Sequence, residues 1–207
     1  MQKLQMALVG HAAVLAMTLG LGSGCTKDFE GEYSDPSKAE IVDDKWNETD
    51  ARKTAEHMIA GMLDKPWLKE FSKTHGGKKP IVIVDNVQNR TDEHLDVVQL
   101  TDYIQDELIN SGKVSFVDKA ARQKILDELK FQNSEHVDAK TAKEKGKQVG
   151  ADFFLAGNIS SSVHAMGEKK TVTYQTTLKL TNIETSVIDW STKFEIKKSF
   201  KRAGAGW

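Results

Sequence analysis

Apolar residues recur along this chain with two different periods, and the period changes near residue 150. Upstream the spacing is helical. Thr49 reads as an N-cap with Asp50 in the first turn, and Ala51, Ala55, Met58, Ile59 and Met62 fall on one face. Pro66 suits the first turn of a second, short helix in which Trp67 and Phe71 stand four apart as core residues, and Gly76-Gly77 ends it. Asp96, with Gln99 three residues on, opens a third helix whose Val97, Leu100, Ile104 and Leu108 share a face and which Gly112 closes. Asp118 caps a helix carrying Ala121, Ile125 and Leu129, and Asp138 caps another carrying Ala139, Ala142, Gly146 and Val149.

The remaining apolar runs have the lengths and compositions of strands. Ile81 to Val84 is a continuous branched run, so its strand, extending to Val87, is covered on both faces. Pro80 stands at its first position, where a missing N–H costs least. Val114 to Val117 is a short strand, and Asp152 to Ile159 is apolar on both faces, hence central. Val172, Tyr174, Thr176, Leu178 and Leu180 alternate with Thr173, Gln175, Thr177 and Lys179, the pattern of a half-buried strand. Ile188, Trp190, Phe194, Ile196 and Phe200 alternate in the same way with Asp189, Lys193, Glu195 and Lys197. The order is α-α-β-α-β-α-α-β-β-β. It predicts an α/β chain of the α+β kind: a mixed sheet of four or five strands, an antiparallel meander at its C-terminal end, and helices packed over it.

Polarity switches abruptly after Val84. Asp85, Asn86, Asn89, Arg90 and Thr91 follow within seven residues. Such side chains favour loops because they bond nearby backbone. A buried strand that opens into a polar loop and then a helix is a common place for a site, but the commoner reading of such a loop is a strand-to-helix connection held by side-chain hydrogen bonds.

Composition narrows the class. The 207 residues are 39% hydrophobic and 29% charged, with a formal net charge of −1, so there is no basic field to hold nucleic acid. The first residues form an export signal: Lys3, an apolar run from Leu4 to Leu21, then Leu21-Gly22-Ser23-Gly24-Cys25. Small residues before the single cysteine of the chain resemble a lipobox, with Leu21 one place further from Cys25 than is usual. The expected organisation is a lipoprotein signal over 1–24, an acylated Cys25 heading a flexible tether over 25–48, a cysteine-free body over 49–201, and a disordered tail over 202–207.

The same residues offer little for catalysis. Two tetrads, Glu93-His94-Leu95-Asp96 and Glu135-His136-Val137-Asp138, carry metal-ligand types. Both stand just before a helix, where acids cap and meet the positive dipole end, which is the better reading. The chain after the signal has neither Gly-x-Ser-x-Gly nor a phosphate-binding glycine loop. The expectation is a binding protein without enzymatic activity, metal, cofactor or small-molecule substrate.

The run Val84-Asp85-Asn86-Val87-Gln88-Asn89-Arg90-Thr91 resembles the LpoB family. The resemblance continues through Val114 to Asp118, Gly150 to Leu155, and Asn182 to Ser191, and covers roughly 50–200. Parts of it extend to a wider group with the CsgG secretion lipoproteins and the N-terminal domain of TolB. It implies a TolB N-terminal-like fold. It also implies an outer-membrane lipoprotein that docks on a class A penicillin-binding protein and raises its peptidoglycan-synthesising activity. Asn89, Arg90 and Thr91 match the family's motif, which makes them the candidate partner-binding residues that the resemblance implies. Thr26 after the cysteine is not the Asp that retains enteric lipoproteins at the inner membrane, which implies outer-membrane sorting. The alternative is a CsgG-like secretion or envelope-assembly lipoprotein.

Overall fold

In a computed structural model the chain is described at residues 31–35, 38, 43–134, 136 and 149–201. The elements are α1 (Glu48–Leu63), α2 (Pro66–Thr74), β1 (Ile81–Val84), β2 (Gln88–Asn89), α3 (Val97–Asn110), β3 (Ser115–Phe116), α4 (Lys119–Gln132), β4 (Phe153–Met166), β5 (Lys169–Asn182) and β6 (Ile188–Lys201). One mixed sheet runs β3-β1-β4-β5-β6, with β2 also beside β4. β1 is parallel to β3 and β4, and β4, β5 and β6 form the expected antiparallel meander. The helix expected after Asp138 and the tail after Lys201 lie outside the described residues.

Three helices bury one face of the sheet. Met58, Ile59 and Met62 of α1 and Leu100, Ile104 and Leu108 of α3 join Val82, Phe153, Leu155, Leu178 and Leu180 in one core. Phe153, on the central strand, meets the rings of Trp67 and Phe71 of α2 edge-on at 5.1 and 5.5 Å. Trp67 satisfies its indole N–H on the Met62 carbonyl at 2.8 Å. Gly157 lies where β5 approaches most closely: a Cβ there would stand 2.2 Å from the Thr177 carbonyl oxygen.

Three boundaries differ from expectation, each for a reason outside the local pattern. The strand through Val87 breaks after Val84, because Val87 turns inward, 2% exposed, and gives its N–H to Thr101 Oγ1 of α3 at 3.1 Å. The chain then rejoins the sheet as β2, so the strands number six rather than four or five. The meander strands are 14 residues each, running well past the core at their far ends. The far end of β4 gives no alternation to read because its residues beyond Ile159 are half-buried or exposed on both faces; pairing with β5 holds it extended.

The third difference is at the start of α1. The cap is Asn47 rather than Thr49. Asn47 Oδ1 accepts from the Asp50 N–H at 3.1 Å and Asp50 Oδ2 accepts from the Asn47 N–H at 3.0 Å, a reciprocal capping box. Residues 43–47, expected within the tether, form a strap across the far half of the meander. Asp44 pairs with Lys170 of β5, and this contact holds the Asp44 carboxyl below its ordinary range. The Trp46 ring stands edge-on to Tyr174 at 5.5 Å. Lys198 of β6 points inward, donates to the Lys45 carbonyl and pairs with Asp50 at 2.6 Å.

The Lys198 and Asp50 side chains are only 2% and 9% exposed, so each charge depends on the other. Lys198→Met is expected to cost about 3–5 kcal/mol of unfolding free energy, because it strands the Asp50 carboxylate. The double change Asp50→Asn with Lys198→Met is expected to recover most of that loss. Urea midpoints of the two variants check this.

Candidate functional site

The polar loop that follows β2 organises itself through Asn89 and Thr91. Asn89 Oδ1 accepts from the Thr91 N–H at 2.9 Å and from the Thr91 hydroxyl at 2.8 Å. Asn89 Nδ2 donates to the Glu93 carbonyl at 2.7 Å, and the Glu93 N–H donates to Thr91 Oγ1 at 3.1 Å. This is an Asx-type turn, in which a short side chain replaces a backbone partner. Its outcome is the direction of Glu93, whose carboxylate receives the Tyr174 hydroxyl at 2.8 and 2.9 Å.

Tyr174 links the loop to the strap. Its oxygen also lies 3.2 Å from the Asp44 carbonyl, and its ring meets Trp46. Burial first, and the Glu93 carboxylate second, push the phenol well above its ordinary titration range. The pair joins residues 81 positions apart. Alternation along β5 predicts Tyr174 as a core residue and carries no signal for its partner.

The three candidate residues therefore divide. Asn89 and Thr91 spend their side chains on the loop. Arg90 gives its backbone N–H to the Ile159 carbonyl of β4 at 2.8 Å and presents an exposed guanidinium, 3.3 Å from Gln88 Oε1. Of the three, Arg90 has the side chain turned to solvent. Cys25 lies outside the described residues.

The first metal-type tetrad is otherwise occupied. Glu93 holds Tyr174, and Asp96 Oδ1 accepts from the Gln99 N–H at 3.0 Å as the cap of α3. Glu135, Val137 and Asp138 of the second tetrad lie outside the described residues. Among the described residues no three His, Cys, Asp or Glu side chains converge on a metal position. No helix among them is long and apolar enough to cross a membrane. One hollow of about 280 Å³, lined by Phe116, Val117, Asp118, Arg122, Ile125 and Val149, is mostly apolar. A second of about 370 Å³ lies beside α2, where His75 stacks on Phe71 at 3.9 Å between ring centres.

Two outcomes are expected from this geometry. Asn89→Ala removes the organising acceptor and should lower stability by about 1–2 kcal/mol, whereas Arg90→Ala should change it by less than about 0.5 kcal/mol. Chemical denaturation of the two variants checks the division of roles. The raised Tyr174 value adds stability that is fully present below the phenol's ordinary pKa of 10.0 and is lost as pH rises above it. The stability difference between the parent and Tyr174→Phe should accordingly shrink from pH 9 to pH 11, read from urea midpoints.

A family model described as the peptidoglycan-synthase activator LpoB matches residues 50–196. No curated protein sequence matches the chain. Among solved structures, the LpoB C-terminal domain from Escherichia coli is 24% identical, covering 71% of this chain and 98% of its own, with a TM-score of 0.42. The same domain from Salmonella enterica is 22% identical with the same coverage and a TM-score of 0.42. Lipoprotein GNA1162 from Neisseria meningitidis is 11% identical over 61% of this chain and 88% of its own, with a TM-score of 0.39. These TM-scores are below 0.5, so the assignment stands on the family match, which spans most of the body. The chain belongs to the LpoB family of peptidoglycan-synthase activators.

Proposed function

We propose that this protein is an outer-membrane lipoprotein, acylated at Cys25, that binds a class A penicillin-binding protein and raises its activity without chemistry of its own. The observation that carries the reading is the family match over residues 50–196. The Cys25 context, with an apolar run and small residues before it, supports the anchor, and Thr26 supports outer-membrane placement. Activation by such a protein is allosteric in the thermodynamic sense: the lipoprotein binds the active state of the synthase more tightly than the inactive one. No cofactor, metal or small-molecule substrate enters that scheme, and nucleic acid does not.

The strap constrains how the body can meet its partner. With residues 43–47 taken up by the sheet, the stretch from 26 to 42 is what separates the lipid from the body. Fully extended, that stretch spans about 60 Å at ~3.3–3.6 Å per residue. The synthase contact therefore falls within that distance of the lipid surface plus the size of the body itself.

The alternative, a CsgG-like secretion component, is not favoured. A membrane hairpin needs an apolar face turned to lipid. The face of β5 opposite the core carries Thr173, Gln175, Thr177 and Lys179.

Cys25→Ser is expected to move the protein from the membrane to the soluble fraction; retention would refute the anchor. The full-length lipoprotein is expected to capture a purified class A synthase of the same organism and to speed its polymerisation of lipid II. A folded lipoprotein that leaves the polymerisation rate unchanged would refute the activator reading.

A further inference from the structure

β4 is paired with β5 along its whole length, to Met166 opposite Lys169. On its β1–β2 side the pairing stops at Ile159: β1 takes Phe153, Phe154 and Leu155, and β2 takes Asn158 and Ile159. The Leu155 carbonyl accepts from the Asp85 N–H and the Ile159 carbonyl from the Arg90 N–H, so the odd-numbered residues of β4 aim their main-chain groups at that side. A strand repeats every two residues, so the N–H and C=O groups of Ser161, Val163 and Ala165 point the same way. Among the described residues none pairs with them. The edge therefore presents three donors and three acceptors, with Val163 at their centre.

The side chains along this edge suit pairing with a copy of itself. Ser160 to Met166 has no Asp, Glu, Lys, Arg, Pro or Gly, so nothing on it repels or interrupts a like strand. The opposite edge, β6, instead carries Lys193, Glu195, Lys197 and Lys201. Val163 stands opposite the buried Val172 of β5, yet is itself 54% exposed. The two ends of the edge carry opposite charges. Arg90, bonded through its N–H to Ile159, holds an exposed guanidinium at the near end, and Glu168 is exposed in the turn at the far end. Lys169, next along, belongs to β5, one strand back from the edge.

We propose that this edge pairs with the same edge of a second copy of the chain, antiparallel about Val163, so that two meanders join into one continuous sheet. Three features select that occupant and that register. With Val163 opposite the second copy's Val163, Ser161 stands opposite Ala165 and Ala165 opposite Ser161, and all six outward groups of each copy are paired. A centre one residue to either side sets Ala165 against Ile159, which β2 already holds, or Ser161 against Gly167 in the turn. The Val163 pair also closes a row of four valines, Val172 and Val163 from each copy, which covers the exposed valine with a β-branched neighbour. Antiparallel pairing reverses the ends, so the turn carrying the second copy's Glu168 comes beside Arg90, and the reciprocal pair forms at the other end of the seam. Two-fold symmetry makes every such contact twice. The dimer asks nothing of the synthase, so it stands apart from the activator reading.

Sedimentation of the full-length lipoprotein in detergent reads the oligomer, with circular dichroism and urea midpoints as fold controls. The parent is expected to be a dimer that dissociates on dilution. Val163→Pro removes a donor that faces the seam and not β5, and Val163→Lys sets two like charges against each other across it. Each is expected to raise the dimer dissociation constant about tenfold or more with the fold unchanged. Arg90→Glu is expected to weaken the dimer about threefold or more, and Arg90→Glu combined with Glu168→Arg to restore it, which a general effect of charge would not do. Cross-linking reads the register, because directly opposed residues of this kind stand about 5.5 Å apart at Cα, within reach of a disulfide. Val163→Cys alone is expected to link on mild oxidation, whereas Ser161→Cys and Ala165→Cys link only when mixed, with the parent as the control for Cys25. A parent that stays monomeric up to about 200 µM, or folded Val163 variants that dimerise within about twofold of the parent, would overturn the proposal. A monomeric parent whose binding to a purified class A synthase is lost in folded Val163→Pro would overturn the second copy as occupant and leave the activator reading standing.

Discussion

A buried ion pair between the last strand and the first helix holds this fold closed at its far end. Lys198 and Asp50 are both almost wholly buried, and neither can be taken from water without the other. Asp50 answers Lys198 and, with the same oxygen, the N–H of Asn47, so one carboxylate caps α1 and clamps β6. The Lys198 ammonium also holds the Lys45 carbonyl. The polar segment leading into α1 is thereby fixed to the sheet, and the body begins at the strap rather than at the helix.

From that clamp the far half of the meander acquires its shape. β4, β5 and β6 extend beyond α1, α2 and α3, where there is little core to bury. Their inner face is covered instead by the strap and the polar loop, through Trp46 on Tyr174, Asp44 on Lys170 and Glu93 on Tyr174. Tyr174 is the residue at which strap and loop meet. Its ring offers an apolar surface and its hydroxyl an ordered donor, so one side chain ties two otherwise unrelated segments to the central ladder.

The same arrangement accounts for the surface the molecule presents. The loop ends β2 after two residues and leads the chain onto the inner face of the sheet. Among the described residues β4 has no partner on its β1–β2 side beyond Ile159, while β6 at the opposite edge is guarded by charge. The motif residues Asn89 and Thr91 hold this loop together, and Arg90 presents an exposed guanidinium beside it.

By itself the sequence determined the class of fold and the identity of its central elements. Apolar period separated the helical half from the strand-rich half, Pro66 and Asp96 marked helix starts, and the branched run Ile81 to Val84 marked the buried parallel strand, because burial writes a periodic signal into neighbouring residues. The motif around Asn89 was also legible, since Asx and Thr side chains act on backbone two or three residues away. Tertiary structure alone decided where α1 and the tether divide, how far the meander runs, and what Asn89, Arg90 and Thr91 each do. Those outcomes depend on Lys198 meeting Asp50 and Tyr174 meeting Glu93, partners brought together by strand register across the whole chain. A long-range pair of this kind leaves no period in the local sequence, so only the folded chain reveals it.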